Sequence, residues 1–423
     1  MNSLLESNVI FRNVYCFWAA NPGNAEQCTP VGAVAVKDGL LPGGLEWLAY
    51  VMAGLSVILL IVNVYLVFAA LYTYVDRRVL AKFQGRIGPN RVGPFGILQP
   101  LADGIKLMTK EDLVPAGADR WIFNLAPVVM MSSGILVLAV LPFGKDSFVV
   151  DLNIGILYVF AITGVNTLAM FMAGLASANR YAMFGGMRAV AQLISYEIPV
   201  VLSVVGIVMM AGTMSLVGIV EAQKVPFIFV QPLAFFVFIA GSSAEMNRSP
   251  FDQVEAEGEI IAGYHTEYSG MKFGVFQAAE FGAVLITSAL IATLFLKGWE
   301  GPFLPSHVWF LLKLFFFAFI FIWIRATLPR LRIDQIMAYA WKFLLPLSLI
   351  NIFVVAAEVL LLGDQITDSS GVSMDLTTSD MWIMAGINVV VAIVAVIGLA
   401  KITGMDARES TKVANVTRVI KGT

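Results

Sequence analysis

Residues 245–272 read EMNRSPFDQVEAEGEIIAGYHTEYSGMK, and residues 273–296 continue as FGVFQAAEFGAVLITSALIATLFL. The second half carries one charge, Glu280, in a run long enough to cross the roughly 30 Å hydrocarbon layer as a helix. The first half sets Glu245, Asp252, Glu255, Glu257, Glu259 and Glu267 against Arg248 and Lys272. At helical pitch Glu255 and Glu259 share a face one turn apart, with Asp252 three residues ahead of Glu255. Like charges held that close titrate as a coupled group and are able to take up and release protons. A solvated acidic loop is the ordinary alternative for such a run. What argues against it is the apolar sequence on either side.

Working outward, 59% of the 423 residues are hydrophobic and 13% charged, with a mean hydropathy of +0.83. That composition belongs to an integral membrane protein, all-α and polytopic. The formal net charge of -2 leaves no basic stripe for nucleic acid. His265, His307, Cys16 and Cys28 are the only histidines and cysteines, so no metal or iron-sulfur site is expected within the chain. There is no GxGxxG or GxxxxGK[ST] string, so no nucleotide or flavin site is expected either. Electrons would have to come from another subunit.

Apolar runs near 47–75, 121–142, 153–178, 189–211, 227–244, 273–296, 307–326, 342–362 and 382–402 predict about nine spanning helices. Residues 1–45 read as an extramembrane extension, 46–362 as an eight-helix core, and 363–423 as an additional helix with a polar tail. Lys and Arg collect in 76–120, 179–188, 245–272, 325–342 and 401–423, which puts those segments in the cytoplasm and the amino terminus outside. Cys16 and Cys28 then fall outside, where a disulfide or two free thiols are equally compatible with the sequence.

Between the first two spans, Gly85, Gly88, Pro89, Gly93, Pro94 and Gly96 prescribe a loop path. After them Ile97, Leu101, Ile105 and Met108 fall on one helical face, and Gln99, Asp103, Lys106 and Lys110 on the other. This predicts an amphipathic helix lying in the membrane interface, as a surface anchor or as one wall of a cavity.

Ionisable residues inside the spans are costly unless paired, hydrated or functional. Glu197, Glu280 and Lys313 read either as paired structural charges or, with the acidic stretch, as a polar route into the membrane that Asn63, Asn166 and Tyr196 extend. Glu358 lies nearer a helix end and reads as a structural, snorkelling charge. Arg325, Arg330 and Arg332 read as interfacial anchors that could also dock an acidic partner.

Several strings together resemble one family, the membrane-embedded H subunit of bacterial NADH:quinone oxidoreductase, respiratory complex I. They include GRIGPNRVGPFGILQPLADGIKLMTKED, AVAQLISYE, AEMNRSPFDQVEAEGEIIAGYHTEYSGMKF, LLKLFFF, WIRATLPRLRIDQIM and WKFLLPLSLIN, in family order from about residue 47 to 362. The resemblance implies a subunit of a multi-subunit translocase in the bacterial cell membrane, with cytoplasmic iron-sulfur and membrane antiporter-like partners. It implies ubiquinone or menaquinone as bound substrate, no complete active site in this chain alone, and a chamber near Asp76, Arg77, Arg86, Asp103, Phe251 and Met271. It further implies proton coupling through Glu197, Glu245, Arg248, Asp252, Glu255, Glu257, Glu259, Glu267, Glu280 and Lys313. Asp76 stands where the family usually has glutamate, and Gly258 where glutamine is frequent. Two other readings fit the residues: the membrane anchor of an energy-converting hydrogenase, and a secondary transporter. The transporter would show an internal repeat with paired broken helices, and no self-similar halves are found.

Overall fold

The structure, a computed structural model, describes Ile10, Val14, Tyr15 and residues 46–145, 147–254, 261–368, 371–375 and 377–402. Cys16, Cys28, Glu255, Glu257, Gly258 and Glu259 lie outside the described residues, as do most of the amino-terminal extension and the tail after residue 402.

The first helix, α1 (Glu46–Phe83), has 38 residues and is therefore about 57 Å long, nearly twice the hydrocarbon thickness. Ala49, Ala53, Val57, Ile61 and Tyr65 recur at four-residue intervals along its buried stripe, while Leu55, Ile58 and Leu59 are among the apolar side chains left exposed for lipid. Because the apolar run ends well before the helix does, its last turns carry Asp76, Arg77, Arg78 and Lys82 past the apolar layer. A glycine-rich loop follows, and then α2 (Gln99–Thr109), the expected amphipathic helix. Leu101, Ile105 and Met108 on its apolar face are more than half exposed, and Asp103 turns toward α1.

Then come α3 (Arg120–Leu138), α4 (Gly155–Ala176) and α5 (Arg180–Ala211). Side chains of Asp119 and Asn179 cap α3 and α5 by accepting from Trp121 and Tyr181 N–H, and Gly212 in the left-handed region closes α5. Three shorter helices follow: α6 (Leu216–Ala222), α7 (Phe227–Val230) and α8 (Pro232–Glu245). The chain continues through α9 (Gly270–Phe295), α10 (Ser306–Thr327) and α11 (Ile333–Tyr339). A π-helical turn, Ala340–Leu344, carries α11 into α12 (Leu345–Leu362). A small antiparallel hairpin pairs β1 (Asp364–Asp368) with β2 (Gly371–Asp375) ahead of α13 (Thr378–Ile402).

Eight helices among the described residues are long and apolar enough to cross a membrane. The expected span at 227–244 is instead split at Gln231, because Pro232 brings no N–H to continue the ladder from α7. Its second half, α8, is about 21 Å long, short of a full crossing. Of the eight long helices α9 is the most enclosed, with 78% of its apolar window buried. It therefore forms the axis around which α1, α3 and α10 pack.

The segment on either side of residues 255–260 is pinned to α5. Val254 and Tyr264 are fully buried, and Gly263 has φ 65 with the Val254 carbonyl so close that a Cβ would lie 1.9 Å from its oxygen. A Cβ on Gly185 of α5 would come within 2.7 Å of Gly263. Only glycine permits that stacking of backbone on backbone.

Candidate functional site

Where α1, α2, the 261–268 loop and α9 converge, they enclose a cavity of about 670 Å³. Its walls are largely apolar: Leu66, Ala69 and Ala70 from α1, Leu107 from α2, Met271, Phe273 and Phe281 from α9. Arg77 and Asp103 line it as an ion pair at 2.6 Å, joining α1 to α2. Asp103 also accepts from Gln99 at 3.2 Å and lies 3.4 Å from Lys106. Partial burial pushes the Asp103 carboxyl up, but the Arg77 hydrogen bond and charge, with Gln99 and Lys106, outweigh it and hold the group below the usual carboxylate range. On the loop side Tyr268 stacks on Phe123 with ring centroids 4.0 Å apart, and burial raises its phenol above the ordinary tyrosine range.

Arg77 and Phe281 also line a neighbouring cavity of about 390 Å³, together with Asp76, Arg86 and Arg325. Asp76 is 3% exposed and accepts from Arg325 at 2.5 Å, with Arg248 3.9 Å away. Arg248 is itself buried and lies over the Phe281 ring, 4.4 Å from its centroid. The longer gap to Arg248 fits the short reach of aspartate at this position. Arg86 donates to Gln84 at 2.8 Å, on the rim of the same cavity.

Three described acidic residues of the organising stretch are held individually. Asp252 pairs with Arg330 at 3.0 Å, Glu267 accepts from Asn179 at 2.6 Å, and Glu280 accepts from the fully buried Tyr264 hydroxyl at 3.0 Å. Deeper in the bundle, Glu197 and Glu245 line a small cavity of about 70 Å³, with Tyr65, Asn166, Thr163 and Thr167. Asn166 Oδ1 is buried there without a hydrogen-bond partner. A space of that size holds ordered water where polar atoms converge.

The structure brings Arg77, Asp103 and Met271 to the larger cavity and Asp76 and Arg86 to the adjoining one. Phe251 lines neither. It is buried against Tyr196 and Tyr339, with ring centroids at 5.3 and 6.1 Å, as a core residue. Lys313 is also displaced from the acidic group: its ammonium donates to the carbonyls of Leu296, Gly298 and Glu300 at 2.6–2.8 Å, capping the far end of α9. Asn63 faces outward and donates to Leu59 O of its own helix, and Tyr196 donates to Ile336 O, so neither extends the polar cavity. Glu358 is 5% exposed and accepts from Asn388 of α13 at 2.7 Å, so it is bonded inside the bundle rather than snorkelling. Arg325 and Arg330, read as surface anchors, are the partners of Asp76 and Asp252. Sequence pattern alone does not distinguish Phe281, Tyr264 and Tyr65. An aromatic residue next to Glu280 was the available signal for the first.

The NADH dehydrogenase family profile matches residues 55–356. The H subunit of a Dehalococcoides mccartyi NADH-quinone oxidoreductase is 53% identical over 294 residues, covering 70% of this chain and 83% of its own length. An H subunit from Geobacter metallireducens is 51% identical over 310 residues, 71% of this chain and 94% of its own. Another, from Syntrophobacter fumaroxidans, is 47% identical over 329 residues, 75% of this chain and 99% of its own. Over the same core that holds both cavities and the carboxylates around them, the chain therefore belongs to the NADH dehydrogenase family, alongside the H subunits of NADH-quinone oxidoreductases.

Proposed function

We propose that this chain is a membrane subunit of a multi-subunit NADH-quinone oxidoreductase, that its larger cavity admits a quinone, and that its carboxylates couple quinone reduction to proton movement. The carrying observation is the placement of the Arg77–Asp103 pair in an apolar cavity of about 670 Å³ between α1, the amphipathic helix α2 and α9. A quinone has a flat head with two acceptor oxygens and a long apolar tail. The aliphatic walls suit the tail. Arg77 commits one of its five N–H groups to Asp103 and is a donor for a quinone oxygen. The apolar exposed face of α2 seats the cavity mouth at the membrane interface.

Reduction of a quinone to a quinol takes two electrons and two protons. No nucleotide motif or metal-ligand cluster is found in the chain's sequence, so in this reading the electrons come from an iron-sulfur partner on the cytoplasmic side, and antiporter-like subunits lie in the membrane beside it. Charge arriving on the head changes the field at Asp76, Arg248 and Arg325, which Arg77 and Phe281 link to the cavity. Glu280, Glu245 and Glu197 then form the inward continuation. Glu197 and Glu245 face one cavity, so a charge on either is felt by the other.

The test is Glu197→Gln in the intact complex. Proton pumping driven by quinone reduction is expected to fall well below half of the parent's, while NADH oxidation by a soluble artificial acceptor is retained. Pumping at the parental level would contradict the coupling role.

A further inference from the structure

Apart from the acidic residues, a second set of polar groups is sealed inside the bundle where α5, the break between α7 and α8, and α12 meet. Gln231 is 0% and Asn351 1% exposed. The Gln231 amide nitrogen faces Met210 Sδ at 2.6 Å, and thioether sulfur is a weak acceptor. Gln231 Oε1 and both polar atoms of the Asn351 amide are buried with no hydrogen-bond partner. Orphaned amides at this depth are expensive unless something satisfies them.

The position of Gly206 says what does. A Cβ on that glycine would lie 3.0 Å from Asn351 Nδ2 and 3.0 Å from Gln231 Oε1. The two atoms are thus no more than twice that distance apart, yet neither bonds the other. A single water making ordinary hydrogen bonds of about 2.9 Å bridges such a gap. Whichever way each amide is turned, it presents a donor edge and an acceptor edge, which is the complement of water.

Charge argues against other occupants. Gly206, Met210, Gln231 and Asn351 carry none, and the adjoining end of α8 is an N-terminus with partial positive charge, unfavourable for a cation. An anion would face the orphaned Gln231 and Asn351 carbonyl oxygens.

We propose that an internal water, held between Gln231 and Asn351 in the space that the absent Gly206 side chain leaves, is a fixed part of this protein's membrane interior. It satisfies the side-chain amides beside the break, where the Gln231 backbone is already bonded, its N–H to Phe227 O at 2.7 Å and its carbonyl to Phe235 N–H at 3.1 Å. The half-helix α8 then starts at that depth and ends at Glu245. The inference stands whether or not the cavity of α1, α2 and α9 takes a quinone.

Electron cryomicroscopy of the intact complex, at a resolution that shows ordered waters, tests it. One spherical density within hydrogen-bonding distance of both amides is expected. No density, or the two amides bonded directly to each other, would overturn the proposal, and so would a density ringed by five or six oxygens at metal-ion distances. Gly206→Ala is expected to remove the density and shift the thermal midpoint of the purified complex downward. Gly206→Ala combined with Asn351→Ala, which removes one orphaned amide, should recover part of that shift. A Gly206→Ala complex that keeps the density overturns the assignment, and the parent density decides the matter should the variant fail to assemble.

Discussion

Asp76, Asp103, Asp252 and Glu267 each lie within 3.0 Å of a guanidinium or amide donor, whereas Glu197 and Glu245 face a cavity of about 70 Å³ with no Lys or Arg in its walls. The first group ties elements together: α1 to α10 through Asp76 and Arg325, α1 to α2 through Arg77 and Asp103, and the segment after α8 to the one after α10 through Asp252 and Arg330. Each of those carboxylates accepts from a side-chain donor. The second pair has only hydroxyls, an amide and each other. On the proposed reading, the difference separates acids that hold the architecture from acids whose protonation a nearby charge changes.

The comparison is most exposed to failure at Asp76. Asp76→Asn leaves the buried Arg248 and the part-buried Arg325 without their carboxylate, and removing one partner of a buried pair costs about 3–5 kcal/mol. Thermal inactivation of the assembled complex should show that loss as an early transition. A variant as stable as the parent would place Asp76 with the responsive acids instead. Tyr264→Phe comes next, because it takes the hydroxyl from buried Glu280 and should cost about 1–3 kcal/mol in the same assay. An unchanged midpoint would mean that Glu280 does not depend on Tyr264.

The smallest effect belongs to Asp103, whose pair with Arg77 is partly exposed and, after solvent screening, contributes less than about 1 kcal/mol. Its carboxyl is held below the ordinary range, so the pairing contributes fully above the unfolded value of about 3.9 and is lost as pH falls through the folded value. Limited proteolysis of the α2 segment should quicken below about pH 4 in the parent. Asp103→Asn should show the faster cutting already at neutral pH, and equal rates for both proteins at every pH would sever α2 from this pair.

Much of this architecture is legible in the sequence. Apolar runs of spanning length place the helices, and the spacing of Leu101, Ile105 and Met108 foretells a helix with one exposed apolar face. The Pro232 break is visible as a proline yet falls inside a run of apolar residues, because hydropathy averages over a window and a missing N–H does not enter it. Partners were the harder part. Lys313 and Glu358 look alike as lone charges in apolar runs, yet one caps carbonyls beyond α9 and the other bonds Asn388 thirty residues on. Periodicity gives the face of a helix without saying which neighbour meets it. Phe251, a cavity wall by the resemblance alone, packs instead into an aromatic core with Tyr196 and Tyr339.

Photoaffinity labelling of the intact complex with an azido-quinone, followed by peptide mapping, addresses the central claim most directly. Labels are expected on α1 near Ala70, α2 near Leu107 and α9 near Met271, and an excess of unmodified quinone should suppress them. Competable labelling confined to other surfaces of this chain, or to other subunits alone, would contradict the assignment of that cavity to a quinone.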